Sequence, residues 1–225
     1  MPERIKLEPT DPRYPPRLRD ASSDPPALRV DGDASLLARL DLVAVCGARK
    51  CAPYGVICAE ATGRTVADAD MMLLSGGAVG VQTHAIEAAL EHGGQCIVML
   101  GSGLNNPYPQ GNAELFRRVV DAGGAVVSPY PDDMPPRPVN FRTRNNLIVH
   151  ASLCLVVAEA GLPSGTYSMA DSACGSSRPV LAWPGQAFSP QSAGSNAMIA
   201  SGTATCIDCI DTLSERLHLI RDNMP

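Results

Sequence analysis

The sequence predicts an α/β fold in which a doubly wound, mostly parallel sheet carries helices on both faces. Six short apolar runs rich in β-branched residues recur along the 225 residues, with centres about 24 to 30 residues apart. That spacing is typical of successive strand–helix units. Each run is apolar on both alternating faces, as expected for strands that helices cover on both sides. We therefore expect an extended Rossmann-like arrangement.

Predicted strands and helices alternate along the chain. The strands are 42–46, 71–74, 96–100, 125–128, 153–158 and 179–182. Helical periodicity occupies residues 54–69, 80–92, 111–122, 142–150, 165–175, 193–201 and 208–220. A proline-rich stretch, residues 129–138, is predicted to be the one long irregular insertion.

The predicted helices have an apolar side that recurs every three or four residues. In residues 80–92, for example, Val81 and Ala85 share one side. Residues 1–33 show little periodicity of either kind. We therefore expect an N-terminal arm, residues 1–33, packed on a Rossmann-like core domain, residues 34–225.

Composition and charge exclude several classes of protein. Hydrophobic residues make up 45% of the chain and aromatic residues 4%, which excludes a disordered chain, a coiled coil and a broad base-stacking surface. Eighteen Lys and Arg against 23 Asp and Glu give a net charge of −5, so any site for an anion must be local. The first 16 residues lack the apolar core of a signal peptide, and no apolar run is long enough for a bilayer. We expect a cytoplasmic protein that does not bind membranes.

Glycines and hydroxyl residues follow several predicted strands. Because the carboxyl ends of parallel strands share one edge of a sheet, ligands of such folds bind there. Glycine lets a ligand approach the backbone, and a hydroxyl can cap the next helix or bind a phosphate oxygen. Residues 75–80 match neither a dinucleotide turn nor a P-loop, which disfavours NAD binding and ATP hydrolysis.

Arginines occur close to the same predicted edge. Arg49 and Lys50 follow the first strand, and Arg142 and Arg144 lie in the segment before the fifth. Arg49 together with Arg142 or Arg144 is suited to clamp phosphates.

A catalytic or metal site is not predicted. Glu159 is the one acid placed at a strand end, and neither a Ser–His–Asp set nor a carboxylate pair stands out. Cys206 and Cys209 form a C-x-x-C pair without the second pair or histidines of a zinc site. We therefore expect no catalytic residue, no metal and no cofactor.

At these residues the chain resembles the DNA-processing protein A (DprA/Smf) family. The motifs that carry the resemblance cover most of the chain in order. They are Tyr14-Pro15, Pro25-Pro26, the run from Val43 to Arg49, Tyr54-Gly55, the run from Ser75 to Gly80, His84, Gly93-Gly94, the run from Leu100 to Leu104, Tyr108-Pro109, Asn112, Phe141 with Arg144-Asn145, Glu159-Ala160, Ser164-Gly165, Pro184-Gly185, the run from Gly194 to Asn196, and Gly202.

The resemblance implies an extended Rossmann domain that binds single-stranded DNA in a basic pocket at the strand ends and often dimerises. Family members protect incoming strands in natural transformation and help to load the RecA recombinase. Arg49 and Arg144 would then contact phosphate. The full candidate set for DNA or phosphate binding is Gly47, Arg49, Lys50, Ser75, Gly76, Gly77, Gly80, His84, Gly101, Gly103, Phe141, Arg142, Arg144, Asn145, Glu159, Ser164, Gly165 and Thr166.

Two motifs depart from the family pattern. The family follows its second-loop glycine with Ile-Asp, whereas Gly80 is followed by Val81-Gln82 here. The family's Phe-Pro-x-Arg-Asn-Arg becomes the run from Phe141 to Asn146, which loses its last arginine and gains Arg142. Either Arg142 compensates for the lost arginine or the anion is held differently.

Two other classes of function compete with DNA binding. Residues 163–166 partly match the loop of phosphoribohydrolases that cleave nucleoside monophosphates, but Glu159 precedes that loop, whereas the catalytic Glu of those enzymes follows it. Alternatively, the same pocket holds a small nucleotide as a sensed ligand.

Overall fold

A computed structural model describes residues 4–224, and in that part of the chain it shows one nine-stranded sheet between two layers of helices. Residues 1–3 and 225, which the predicted domain bounds include, lie outside the described residues. The strands are β1 (Ile5–Leu7), β2 (Leu28–Gly32), β3 (Leu42–Cys46), β4 (Met72–Ser75), β5 (Cys96–Met99), β6 (Ala125–Ser128), β7 (Cys154–Val157), β8 (Val180–Ala182) and β9 (Thr205–Cys206). The helices are α1 (Pro16–Asp20), α2 (Pro53–Asp68), α3 (Val81–Glu91), α4 (Ala113–Asp121), α5 (Pro138–Ala151), α6 (Gly165–Gly175), α7 (Ala193–Ala200) and α8 (Ile210–Asp222), with 3-10 turns at Ala34–Ala38 and Gln110–Asn112.

The order of the strands in the sheet fixes where a ligand can enter. It runs β1-β2-β6-β5-β4-β3-β7-β8-β9, and all pairs from β6 to β9 are parallel. From β3 the chain builds outward to β4, β5 and β6, then returns to place β7 on the other side of β3. The switch point of the doubly wound sheet therefore lies between β3 and β7, where a crevice opens at the carboxyl ends.

The core has two layers because the strands are apolar on both faces. In β3, Leu42 and Ala44 face one cluster while Val43 and Val45 face the other. Helices α1, α5, α6 and α7 cover the first face, and α2, α3, α4 and α8 cover the second. This arrangement confirms the predicted class, with a mostly parallel sheet and helices on both sides.

The six predicted strands are confirmed as β3 to β8, but the sheet has three more. Strands β1 and β2 lie within residues 1–33, and β2 pairs antiparallel with β6 from Arg29–Ser128 to Gly32–Ala125. Strands β1 and β9 have three and two residues, too short for a clear pattern, and β2 carries Arg29, Asp31 and Gly32 among its five residues. None of the three is therefore a clear apolar run in the sequence. The division of the chain at residue 33 stays a prediction.

Helix α5 begins earlier than predicted. It starts at Pro138, four residues before the expected start, because proline at the first helical position has a suitable φ and its missing N–H is unpaired there in any case. The irregular insertion therefore ends at residue 137. As a result, Phe141 is helical, as Arg142 was predicted to be.

The eight cysteines are free, and four of them are buried. Within residues 4–224, no helix is both long and apolar enough to cross a bilayer. No group of three or more His, Cys, Asp or Glu in the same residues is arranged to hold a metal ion.

Candidate nucleic-acid interface

A cleft of about 650 Å³ opens at the switch point, beyond the carboxyl ends of β3 and β7. Two adjoining recesses of about 420 and 90 Å³ share Arg49 with it, and we call the three spaces together the switch-point cleft. The recesses add Phe141, Arg142 and Gly76 to its walls. The other predicted site residues that line the cleft are Gly47, Lys50, Arg144, Asn145, Ser164, Gly165 and Thr166.

The charge of the cleft is opposite to that of the whole chain. Four cationic side chains line it, namely Arg49, Lys50, Arg142 and Arg144, and no Asp or Glu of the described residues does. None of the four takes part in a salt bridge within residues 4–224. A cleft with unneutralised guanidinium and ammonium groups attracts anions, above all phosphates.

Arg144 lies at the cleft floor, but most of its donors are already used. The residue is 3% exposed, its Nη1 donates to the carbonyls of Gly76 (2.7 Å) and Met99, and its Nε donates to Asn145 Oδ1 at 3.1 Å. Burial lowers the pKa of Arg144 to about 10, and the positive charge of Arg49 contributes to that shift. The geometry therefore makes Arg144 mainly a brace between the loop after β4 and the end of β5, whereas the family resemblance implied direct phosphate contact.

Two glycines allow this close packing. A Cβ on Gly76 would lie 2.5 Å from the guanidinium carbon of Arg144, so only glycine leaves room for that side chain. Gly80 has a φ of +81°, and its Cβ would meet the carbonyl oxygen of Ala48 at 2.4 Å. Gly80 thus fixes the loop that carries Arg49 against the start of α3.

The N-terminus of α6 forms another wall of the cleft. Ser164 is its N-cap, and its hydroxyl accepts from the Tyr167 N–H at 3.2 Å. Gly165 and Thr166 follow and line the cleft, and a Cβ on Gly165 would meet nothing within 4 Å. The first-turn amides and the positive end of the helix dipole therefore add to the attraction of an anion.

Aromatic rings flank the cations. The rings of Phe141 and Tyr108 lie 5.4 Å apart at an angle of 51°, and both line the smallest recess. The Arg144 guanidinium lies 5.7 Å from the Phe141 ring centre. Tyr108 is 43% exposed, which leaves its ring free to stack on a base.

Four predicted site residues lie behind the walls of the cleft instead of lining it. Ser75 is fully buried at the end of β4, and Gly77 packs its backbone against Phe116. The other two are Gly101, which packs against the Phe141 ring, and Gly103, which packs against the backbone of Asp132.

Glu159 caps a helix and does not line the cleft. Its side chain is buried, and its Oε2 accepts from the N–H of Ala52, the N-cap of α2, at 2.8 Å. Its Oε1 has no hydrogen-bond partner among residues 4–224, and burial raises the pKa of the carboxyl group. Glu159 does follow the carboxyl end of β7, and its backbone carbonyl accepts from the N–H of Ala48 at 2.8 Å, but its side chain turns towards α2.

His84, also expected at this edge, lies in the first turn of α3 but does not line the switch-point cleft. Its Nδ1 lies 3.9 Å from Glu87 Oε2, and the residue lines a separate groove with Glu60 and Arg64. The groove lies between α2 and α3, because the helical rotation of α3 carries position 84 away from the sheet edge.

Several cleft residues were not singled out from the sequence. Gln82 is buried, and its Oε1 accepts from the Ala78 N–H at 2.9 Å, which braces the loop after β4. Its position just after Gly80 was a usable signal. Pro190 and Gln191 come from the irregular loop between β8 and α7, whose sequence carries no periodic pattern.

The chain matches known proteins over nearly its whole length. A family model described as DNA recombination-mediator protein A matches residues 6–218. The protein Smf of Escherichia coli K12 is 35% identical over 212 residues, which cover 93% of this chain and 56% of Smf. The chain thus spans about half the length of that relative.

Two solved structures show the same fold. DNA processing protein A from Streptococcus pneumoniae matches with a TM-score of 0.85 and 29% identity over 94% of this chain and 74% of that one. DNA processing protein A from Helicobacter pylori, whose structure was described for its single-stranded DNA binding mode, matches with a TM-score of 0.86 and 28% identity. That match covers 98% of this chain and 97% of the Helicobacter chain.

Proposed function

The chain belongs to the DNA recombination-mediator protein A family, and on that premise we propose that it binds single-stranded DNA in the switch-point cleft. One observation carries the proposal. In a chain with a net charge of −5, four cations without salt-bridge partners in the described residues line a cleft that no described carboxylate enters. Polyanion binding is the function that this distribution of charge supports best.

Different parts of the cleft would hold the phosphates and the bases of the DNA strand. Arg49, Lys50 and Arg142 supply the donors for phosphate oxygens, together with the first-turn amides of α6. The Phe141–Tyr108 pair offers ring faces to bases that are not paired. The volume of about 650 Å³ is that of a small-ligand pocket, so it suits the nucleotides of one strand and not a duplex.

The role in the cell follows from the family and not from the cleft. We propose an accessory role in DNA uptake and in RecA-mediated homologous recombination, with the RecA recombinase as a partner, a homodimer as the working unit and the cytoplasm as the location. The family description as a recombination mediator and the single-stranded DNA binding of the Helicobacter relative support the role in recombination. RecA, the homodimer and the cytoplasm are proposed from the family resemblance alone. No catalysis is proposed, since the cleft carries binding groups and Glu159 lies outside it.

A titration of labelled oligonucleotides tests the binding. The protein is titrated with a single strand and with the matching duplex at several salt concentrations. We expect tighter binding of the single strand, and the logarithm of its affinity should fall with the logarithm of salt by about 0.7 per phosphate contacted. Equal affinity for the duplex, or no binding at low salt, would contradict the proposal.

A small nucleotide is the competing ligand, because the volume of the cleft would also hold one. Cleavage of a nucleoside monophosphate would need a carboxylate near the sugar, and in residues 4–224 none lines the cleft. Native mass spectrometry with AMP and with an oligonucleotide separates the two ligands. Retention of AMP without oligonucleotide binding would favour the competing ligand.

A further inference from the structure

A second cavity of about 700 Å³ opens at the amino ends of β7 and β8, on the edge of the sheet opposite the switch-point cleft. Leu153 and Pro179, which precede these two strands, form its base, and residues of α1 and α8 form its sides. We call it the amino-end cavity. The function proposed above makes no use of it.

Two arginines in this cavity lack partners that their burial would require. Arg17 lies in α1, and Arg178 lies two residues before the start of β8. Both side chains line the cavity. The Nε atom of each is buried and makes no hydrogen bond to the described residues. Buried polar atoms in folded proteins nearly always have a partner, so two such donors in one cavity indicate a missing acceptor.

The cavity also has a net positive charge, from two arginines and one aspartate. Neither arginine forms a salt bridge within residues 4–224, although Asp20 lines the same cavity. Burial lowers the pKa of Arg17, and the positive charge of Arg178 lowers it further. The charge of Arg178 also contributes to the lowered pKa of His150. The two guanidinium groups thus repel each other, and an anion between them would relieve that repulsion.

The rest of the lining is largely apolar. Leu40, Leu153, Leu219 and Ile220 contribute side chains, and Leu40 and Leu219 are exposed in spite of their size. A free phosphate would satisfy the arginines but would leave this apolar surface in water. A ligand with an anionic head and a short apolar body would cover both.

We propose that the amino-end cavity is a second ligand site, which binds the oxyanion head of a small amphipathic molecule through Arg17 and Arg178. The head is a carboxylate or a phosphate, and the apolar body lies against the leucines and Ile220. The planar fork of arginine suits either head through paired N–H donors.

The test follows the arginine Nε–H signals of the full chain by NMR during titration with octanoate, and separately with inorganic phosphate. We expect two Nε–H signals to shift with octanoate, and binding to weaken about tenfold or more in Arg17→Gln and in Arg178→Gln. The matched control is Arg118→Gln, which removes an exposed arginine of α4 and should bind octanoate normally. If Arg178→Gln does not fold, Arg17→Gln alone decides.

The two probes distinguish the source of the oxyanion. Tighter binding of octanoate than of phosphate supports an amphipathic ligand. Shifts with phosphate alone would overturn the apolar part of the proposal, and shifts with neither would overturn the site.

Sedimentation is measured in parallel, because loss of a dimer in Arg17→Gln would show that a second copy of the chain occupies the cavity. Binding of single-stranded DNA should be unchanged in both variants, which keeps this test separate from that of the switch-point cleft.

Discussion

Among single residues, the two arginines of the family motifs have different surroundings. Arg49 lines all three spaces of the switch-point cleft and has no carboxylate partner among the described residues. Arg144 is buried and donates to backbone carbonyls of the loop after β4 and of the last residue of β5. The first is placed to bind phosphate, and the second holds the floor in shape while adding positive charge to it.

Replacement of Arg144 by methionine should destabilise the fold. Arg144→Met leaves the carbonyls of Gly76 and Met99 without their donor, which should lower the free energy of unfolding by about 2–4 kcal/mol. Urea unfolding measures this, with Arg118→Met as the exposed control. If stability is unchanged while affinity for single-stranded DNA is lost, Arg144 is a phosphate ligand and not a brace.

The buried carboxyl group of Glu159 should make stability depend on pH. Because its pKa is raised in the folded state above the ordinary value of 4.5, the folded protein holds this proton more tightly than the unfolded chain. The stabilising contribution of Glu159 to folding is therefore complete when the pH is below the ordinary pKa of 4.5, and it is lost as the pH rises through the raised pKa of the folded state. In Glu159→Gln, an isosteric amide that does not ionise, this loss should disappear.

Urea unfolding at a series of pH values measures the effect. The stability of Glu159→Gln relative to the unmodified protein should increase as pH rises above about 4.5 and then level off. Glu215→Gln, which removes an exposed carboxylate of α8, is the control. A difference that does not vary with pH would show that Glu159 ionises normally.

At the scale of elements, the site depends on how loops and helix starts are held at the sheet edge. Gly80 joins the loop after β4 to α3 and lies against the loop after β3 that carries Arg49. Ser164 caps α6 and so directs the start of that helix to the cleft. Arg49 and Lys50 are therefore positioned by a tight turn, and Arg142 and Arg144 by helix α5.

Gly80→Ala tests this positioning. Its positive φ alone should cost about 1–3 kcal/mol of stability, and the contact of its Cβ with the Ala48 carbonyl should displace the loop of Arg49 and weaken DNA binding. Gly93→Ala is a matched control, since Gly93 has a φ of +74° but a Cβ there meets nothing within 4 Å. Unfolding and oligonucleotide titrations are compared for both variants. Equal DNA binding by the two would show that the close approach is not needed.

Elements with a strong apolar pattern could be predicted from the sequence, and elements without one could not. Strands such as Cys154–Val157 are apolar throughout, and the distance between such strands along the chain predicted that a helix lies between them. Strand β1 has three residues, and it exists because β2 offers it a partner and not because of its own pattern. The rotation of a helix about its axis cannot be predicted without the core contacts, so the sequence did not show that His84 lines the groove between α2 and α3.

For the whole molecule, net charge is a poor guide to function. The sum of −5 disfavours nucleic-acid binding, yet cations concentrate in one cleft where the sheet reverses its order. The loops that form the cleft could be predicted, since their residues follow strands whose carboxyl ends share an edge. The contribution of Gln191 could not, because it comes from a loop that only the folded chain brings to this edge.

The central claim is that the cations of the switch-point cleft bind single-stranded DNA. One measurement tests it directly, namely the fluorescence anisotropy of a labelled single strand titrated with Arg49→Gln/Arg142→Gln and with Arg118→Gln/Arg216→Gln. Both doubles remove two positive charges, but the second pair lies on the exposed surfaces of α4 and α8. We predict that the cleft double binds about tenfold or more weakly and loses salt dependence worth about two phosphate contacts, while the surface double binds almost normally. Equal loss of affinity in both double variants would contradict the account, because it would mean that DNA binding depends on the overall charge of the protein and not on this cleft.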